Sequence, residues 1–503
     1  MQSKDEFIKS EGTSFPGKTY VDHLLRPVFN VQRDYLFKQM FNIHRAHVVM
    51  LAEQGILDKK EAGVILKEVE EVAQTDCQKL EYDPQFEDLF FMMEHKISEQ
   101  IGPDLAGKMH IARSRNDMGV AMYRLVLRKH ILMLVESSQL LADALLEKIE
   151  EHAETVMTAY THTQPAQPTT LAHYLNAILD VFLRDIKRLW SAYETVNRSP
   201  MGAAALSTTG FPINRKRVRE LLGFSELVEN SYDAIAGADY LVESATAVLS
   251  MMVNCGRWIQ DFLQLVTREH NIIKVADPYV QISSIMPQKR NPVSIEHSRA
   301  LASSSAGEAL ATIHMIHNTP FGDIVDTEDD LQPHLYRSYE KANRVLHLMH
   351  AVIRTMEVNK ETALKRAKTS CITITELAEF LAKDKNVPFR TAHQIARSIA
   401  KNCSKQNTEL YELPIQTVNE IIQNQQNVSL TQKEWNEIIC PAEFVERRSI
   451  QGGPNPDEVR RMATMRKQRL LQISNKLNDE LNRLSSSEQS LSETVKRMIV
   501  SPQ

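Results

Sequence analysis

Between residues 241 and 266 eight apolar side chains recur at alternating spacings of four and three: Leu241, Ala245, Val248, Met252, Cys255, Ile259, Phe262 and Val266. That alternation is the apolar seam of an α-helix, kept for nearly four heptads. A seam this long and straight suits long, nearly parallel helices packed side by side better than a compact globule of short elements.

The rest of the text agrees. Gly and Pro together make up only about 7% of the 503 residues, against a usual level of about 12%, so elements run uninterrupted. Aromatic residues stand at 6%, and helix is favoured over strand. Helical patterns run from about 32 to 72, from 120 to 158, from 168 to 197, from 291 to 317 and from 329 to 357. Asp58 followed by Glu61 reads as an N-cap with its capping-box partner. Residues 1–30, with Gly12, Pro16, Gly17 and Pro27, read as an extended arm. After about 369, Pro388, Pro414, Pro441 and the Gly452-Gly453-Pro454 turn mark shorter helices, and a polar helix with a frayed end starts near Asp457. No strand-alternating run stands out. The expectation is an all-α chain of three helical domains: 1–117 with the arm, a central long-helix bundle over 118–368, and a small C-terminal domain over 369–503.

Charge and cysteine usage narrow the function. Lys and Arg number 59 against 64 Asp and Glu, a net charge of −5, so no strong basic field exists for nucleic acid or an anionic membrane. The five cysteines, Cys77, Cys255, Cys371, Cys403 and Cys440, are scattered without a C-x-x-C pair. That fits a reducing compartment and argues against a zinc site or a disulfide framework. The opening residues lack an apolar signal core, and the most apolar stretch, 244–256, is too short for a membrane span, which needs about 20 residues. A cytoplasmic protein is expected, without membrane or nucleic-acid partners.

Three polar islands interrupt the helical text. The first is His110-Ile111-Ala112-Arg113-Ser114-Arg115-Asn116-Asp117. Two arginines, a hydroxyl and an amide at a helix start can grip a carboxylate; a capping segment with solvated arginines is the plainer reading. The second is Tyr160-Thr161-His162-Thr163-Gln164-Pro165-Ala166-Gln167-Pro168. Its prolines end one helix and start another, so His162 is expected on a rigid turn as a candidate acid or base, or else as an ordinary loop histidine. The third is Ser283-Ser284-Ile285-Met286-Pro287-Gln288-Lys289-Arg290-Asn291-Pro292, with Glu296 shortly after and Asn291 able to begin the next helix. A solvated loop is the plain alternative, but Ile282, Ile285 and Met286 are too apolar for one.

The third island resembles the S-S-x-M-P-x-K-x-N-P signature loop of the fumarase/aspartase superfamily, and the other two resemble its remaining shared regions, in the same order. Within the superfamily the likeness is to argininosuccinate lyases. It is carried by residues 113–117, by Ala166-Gln167-Pro168-Thr169-Thr170-Leu171-Ala172-His173-Tyr174, by Pro212-Ile213-Asn214-Arg215, by Asn230-Ser231-Tyr232-Asp233-Ala234 and by Val387-Pro388-Phe389-Arg390-Thr391-Ala392-His393. It spans residues 30–470 approximately.

The resemblance implies a C–N lyase that releases fumarate from an N-substituted aspartate by β-elimination, with argininosuccinate as the default substrate. Another N-substituted aspartate, such as an aminopolycarboxylate of the ethylenediamine-disuccinate type, is the alternative. It implies Ser283 as base, stabilised by Lys289, and His162 as proton donor or relay, steadied by Glu296. Arg113, Ser114, Arg115, Asn116, Thr161, Gln164, Ser284 and Asn291 would bind substrate. No metal or organic cofactor is implied, since the neighbouring carboxylate acidifies the proton. A homotetramer with sites shared between subunits is implied too. A catalytically silent relative, like the lens crystallins of this family, would have lost the base or acid; all four catalytic positions are filled here.

Three departures stand out. Ile282 replaces the glycine that usually opens the signature. Phe15-Pro16-Gly17-Lys18 stands near where a W-G-G-R-F-like start is expected. The segments expected to read E-D-I-H and Y-x-x-D-L-Q-x-D-K appear as Glu87-Asp88-Leu89-Phe90-Phe91 and as residues 323–332. In the latter, Asp323, Asp326, Glu328, Asp329 and Asp330 put five acids into eight residues. Facing a site they would attract a cation and repel a carboxylate; otherwise they cap the next helix.

Overall fold

In the computed structural model, which describes residues 3–500, the chain is helical almost throughout. Residues 1–2 and 501–503, the outer ends of the expected first and third domains, lie outside the described residues. The expected extended arm is instead helical. Ser3 and Glu6 cap each other to start α1 (Lys4–Glu11), and helix resumes at Lys18 and runs without a break to the end of α2 (Phe37–Glu53). π-wound turns at Val21–Leu25 and Gln32–Leu36 flank Pro27, which has no N–H to give to an α-ladder. Asp58 caps α3 (Lys59–Ala73) through the N–H groups of Lys60 and Glu61. Glu61, however, sends its carboxylate to Lys108 Nζ at 2.6 Å rather than back to the cap. With α4 (Leu89–Ile101) these helices enclose an apolar cluster around Phe29, Phe41, Ile43 and Ile65.

The central body is a ring of five helices: α5 (Arg115–Glu151), α6 (Leu171–Val196), α7 (Asp239–Leu265), α8 (Val293–Ile316) and α9 (Gln332–Thr355), each packed on the next and α9 closing on α5. Side-chain bonds fix their directions. Tyr174 at the start of α6 donates to Asp261 near the end of α7, while Thr195 at the end of α6 donates to Glu243 near the start of α7. Glu308 and Ser304 of α8 meet His334 and Lys341 of α9 in turn, and Ser137 and Leu140 of α5 meet His347 and His350 of α9. So α5, α7 and α9 run one way and α6 and α8 the other. The α7 seam points inward: Leu241 through Phe262 are all buried, and only Val266, past the helix end, is partly open.

α5 ends at Glu151, earlier than its periodicity suggests, and the chain then makes a β-hairpin, β1 (Val156–Thr161) with β2 (Gln164–Thr170). A hairpin was not expected. Its two central residues, His162 and Thr163, have φ of 49° and 63°, as a type I′ turn requires. Pro165 and Pro168 fit because β2 is an edge strand. Thr170 then caps α6 through the His173 N–H at 3.1 Å. A second small hairpin, β3 (Gln281–Ile282) with β4 (Arg290–Asn291), precedes α8; Asn291 therefore lies in a strand and does not cap the helix.

α10 (Ile374–Asp384), α11 (Phe389–Gln406), α12 (Ile415–Gln423) and α13 (Gln432–Ile439) form a separate apolar cluster around Leu381, Ile395, Ile399 and Trp435. The last helix, α14 (Pro456–Val500), is one 45-residue element. It leaves that cluster, putting Val459, Met462, Leu470 and Leu477 into the central core and Leu491 and Val495 into the N-terminal one. We propose that the boundaries at 117/118 and 368/369 divide the chain up to about residue 446, with α14 strapping the first two units together.

Phe262 is fully buried in the seam. Its replacement by Ala is expected to cost about 3–5 kcal/mol and to lower the thermal midpoint by several degrees. A midpoint equal to the unmodified chain's would show that α7 is not the organising core.

Candidate active site

The ring has two chemically distinct ends. α5 is 37 residues long, about 55 Å at 1.5 Å per residue. The first polar island sits at its start and the hairpin just past its end.

At the start of α5, Ser114 is the N-cap and Asp117 completes the capping box. Asp117 is fully buried. Its carboxylate accepts the Ser114 N–H at 3.0 Å, the Gly202 N–H at 2.9 Å and the Ala204 N–H at 3.0 Å. Burial lifts its pKa to about 6, although these three N–H groups favour the charged form. Arg113, expected to bind substrate, is instead turned inward. It donates to His44 Nδ1 at 3.1 Å and His110 Nδ1 at 2.7 Å, and His110 Nε2 lies 2.5 Å from Glu94. Burial lowers the Arg113 pKa to about 10, so it stays a cation, and holds His44 well below the usual imidazole range.

Arg115 and Asn116 face outward. Arg115 stacks on Phe91, 4.8 Å to the ring centre, and pairs with Asp88 at 3.2 Å and Glu87 at 3.4 Å. Asn116 Nδ2 meets the Ala205 carbonyl at 3.4 Å. Both line a cavity of about 320 Å³ whose wall also carries Glu87, Asp88, Asp323, Glu328, Asp329 and Asp330. Burial first, then Asp323 and Asp329 beside it, lifts Glu328 to about 7. Asp329 accepts Gln32 Nε2 at 3.2 Å. None of these acids caps α9, whose N-cap, Leu331, makes no side-chain cap bond; Asp326 is not in the wall. Sequence reasoning singled out the 87–91 and 323–332 segments separately. That they close on one cavity, with Gln32 and Tyr123, is tertiary information.

At the opposite end, Thr161, His162 and Gln164 are exposed on the hairpin tip. The hairpin's base is held in an apolar cluster of Val156, Ala367, Ile372 and Val445. The signature loop lies at this end too, between β3 and β4. Arg290 anchors it, donating to Asp277 at 2.5 Å and to the Val275 carbonyl at 2.9 Å. Within it the Ser283 hydroxyl accepts the Met286 N–H at 3.1 Å, and the Lys289 N–H closes on the Met286 carbonyl at 2.9 Å. Ser284 and Lys289 are exposed, Asn291 is half-buried, and Glu296 is exposed in the first turn of α8. Ile282 is 70% and Ile285 84% exposed. Among the described residues, no hydrogen bond or ion pair joins any two of the three islands, and Glu296 makes none to His162.

Residues 30–307 match the family described as Lyase, and residues 371–446 match the argininosuccinate lyase C-terminal family. Argininosuccinate lyase 2 of Agrobacterium fabrum is 40% identical over 457 residues, 90% of each chain. Argininosuccinate lyase of Methanosarcina barkeri is 36% identical, covering 89% of this chain and 91% of that one. Among solved structures, EDDS lyase in complex with formate superposes with a TM-score of 0.86 at 30% identity, over 95% of this chain and 96% of that one. A 3-carboxy-cis,cis-muconate lactonizing enzyme from Pseudomonas putida, TM-score 0.72 at 17% identity over 90% of this chain and all of that one, shares the fold. With its five-helix ring, its signature loop and relatives this similar over nine-tenths of its length, the chain belongs to the argininosuccinate lyase family.

Proposed function

We propose that this chain is a C–N lyase that splits argininosuccinate into arginine and fumarate by β-elimination. The observation that carries this is the Ser283 loop. A serine hydroxyl removes a C–H proton only as an alkoxide. The Met286 N–H at 3.1 Å is a donor already aimed at that oxygen, and the exposed Lys289 supplies a positive charge when substrate closes the loop. Proton loss beside a carboxylate creates an aci-carboxylate dianion, which Ser284, Asn291, Thr161, Gln164, Ser114, Arg115 and Asn116 are suited to hold. His162, presented on its turn, protonates the leaving nitrogen, with Glu296 steadying it. Arg113 acts by positioning this segment and not by touching substrate. The argininosuccinate reading is preferred to an ethylenediamine-disuccinate type because relatives bearing the first name reach 40% identity and the EDDS lyase 30%.

The separation along α5 supports a shared site. Arg115 and Asn116 stand about 55 Å from the hairpin of the same chain, so a second copy running antiparallel would bring the complementary ends together. The exposed Ile282 and Ile285 are then covered by neighbours. A homotetramer is the assembly proposed. No described helix is long and apolar enough to cross a membrane.

Ser283→Ala is expected to lower fumarate release, followed by absorbance, roughly 10²–10⁴-fold with unchanged circular dichroism; near-normal turnover would remove Ser283 as base. Mixing inactive His162→Asn and Ser283→Ala chains after mild dissociation should restore part of the activity. Continued inactivity in well-mixed oligomers would rule out shared sites.

The acidic cavity beside Arg115 is proposed to receive the cationic amine half. Among the described residues no three His, Cys, Asp or Glu side chains converge as metal ligands, so an extended organic cation suits it better than a metal ion. Asp323→Asn with Glu328→Gln should raise KM for argininosuccinate several-fold and leave the inhibition constant of fumarate unchanged or lower; if neither constant moves, the cavity does not select the amine. Glu328→Gln also has a stability signature. The folded-state pKa of Glu328, about 7, lies above its ordinary value of 4.5, so the native chain holds a proton that the unfolded chain releases. Stability therefore falls as pH rises through that interval. The thermal midpoints of the two chains should coincide near pH 5 and separate by pH 8, the Gln variant being higher.

A further inference from the structure

Beside the base of the hairpin, α6 and α14 run side by side with a groove of about 500 Å³ between them. His173, Asn176, Asp180 and Arg184 lie along one stripe of α6, at spacings that bring them to a single helix face. Arg461, Arg466 and Arg469 line the opposing stripe of α14. Two of the four guanidiniums are neutralised in place. Arg466 pairs with Asp180 at 2.5 Å, and Arg461 clasps Glu458 through Nε at 2.6 Å and Nη2 at 2.7 Å. Arg184 and Arg469 have no hydrogen bond or ion pair among the described residues. The groove thus keeps a surplus of two positive charges on a chain whose net charge is −5. Farther along the same seam the charges are balanced: Lys476 meets Glu194 at 2.9 Å and Arg483 meets Glu480 at 2.6 Å.

Two further atoms mark the groove as built for a ligand. Arg466 is only 12% exposed, yet its Nε is buried without a hydrogen-bond partner. Asn176, 1% exposed, leaves Oδ1 buried and unpartnered while its Nδ2 is held 3.5 Å from the Val459 carbonyl. Such orphans cost about 1–3 kcal/mol each when nothing fills them. His173 forms one wall, its ring nitrogens engaged by Thr169 Oγ1 at 2.8 Å and the Gly452 carbonyl at 3.0 Å. An unfilled N–H donor and two free guanidiniums ask for a compact dianion, and an unfilled acceptor asks for an O–H. We infer that this groove binds a small phosphate monoester carrying a hydroxyl group. A phosphate monoester brings about −1.5 to −2 charges, which matches the surplus, and guanidinium forks meet phosphate oxygens in pairs. The groove volume is within the range of about 300–1,000 Å³ usual for small-molecule sites.

The test is calorimetric titration of the full chain with glycerol 3-phosphate and with inorganic phosphate, at constant ionic strength set by chloride. Saturable binding of both is expected, with glycerol 3-phosphate several-fold tighter. In an Arg184→Ala/Arg469→Ala chain the affinity should fall at least tenfold. Both residues are exposed and unpaired, so that chain should fold, and unchanged fumarate release would check it. No saturable heat with either ligand, or the same affinity in the double variant, would overturn the assignment.

Discussion

The length of α5 is the constraint from which the rest follows. A 37-residue helix cannot be stable on propensity alone; it persists because its ring neighbours α6 and α9, together with α14, pack along it and its apolar positions from Tyr123 to Ile149 enter the central core. Once it is that long, its two ends are remote, and one chain cannot bring both of them to the same small molecule. The capping box of Ser114 and Asp117 fixes where the helix begins. By taking the N–H groups of Gly202 and Ala204, Asp117 also fixes the neighbouring loop. A buried carboxylate with a pKa near 6 is an expensive way to start a helix, and what it secures is the aim of Arg115 and Asn116.

Electrostatic strain collects at this end. Arg113 is enclosed with His44, His47 and His110, all depressed in pKa chiefly by burial, so that a single guanidinium is the cation of the group. On the other side of the same segment Glu328 and Asp329 are raised by burial. Arg115 lies between these two environments and is the charge that a ligand entering the acidic cavity must share with Glu87 and Asp88.

The bundle was legible because it is written in periodicity. The 241–266 seam, the caps and the scarcity of Gly and Pro all operate within one helix. Less local features were not. The hairpin was hidden because Pro165 and Pro168 read as helix punctuation, and because His-Thr is an uncommon pair for a type I′ turn. The N-terminal run was masked by Pro27, which π-wound turns flank. The path of α14 depends on where Met462, Leu470 and Leu491 find partners, which no local pattern encodes. The polar islands were recognisable as segments. Arg113 turning inward, and residues 87–88 closing on 323–330, are outcomes of packing.

The hairpin tip carries a longer consequence. Thr163 is β-branched and sits at a φ of 63°, a region such residues avoid, next to a histidine at 49°. Asn-Gly would fill these two places with less strain. Random substitution here therefore offers a more comfortable turn at the price of the imidazole. On the proposed proton-donor role of His162, a lineage released from that role should drift toward Asn or Gly at these two positions early. The composition of this one turn then becomes a record of whether a member of the family has been kept as an enzyme or retained only as a helical scaffold.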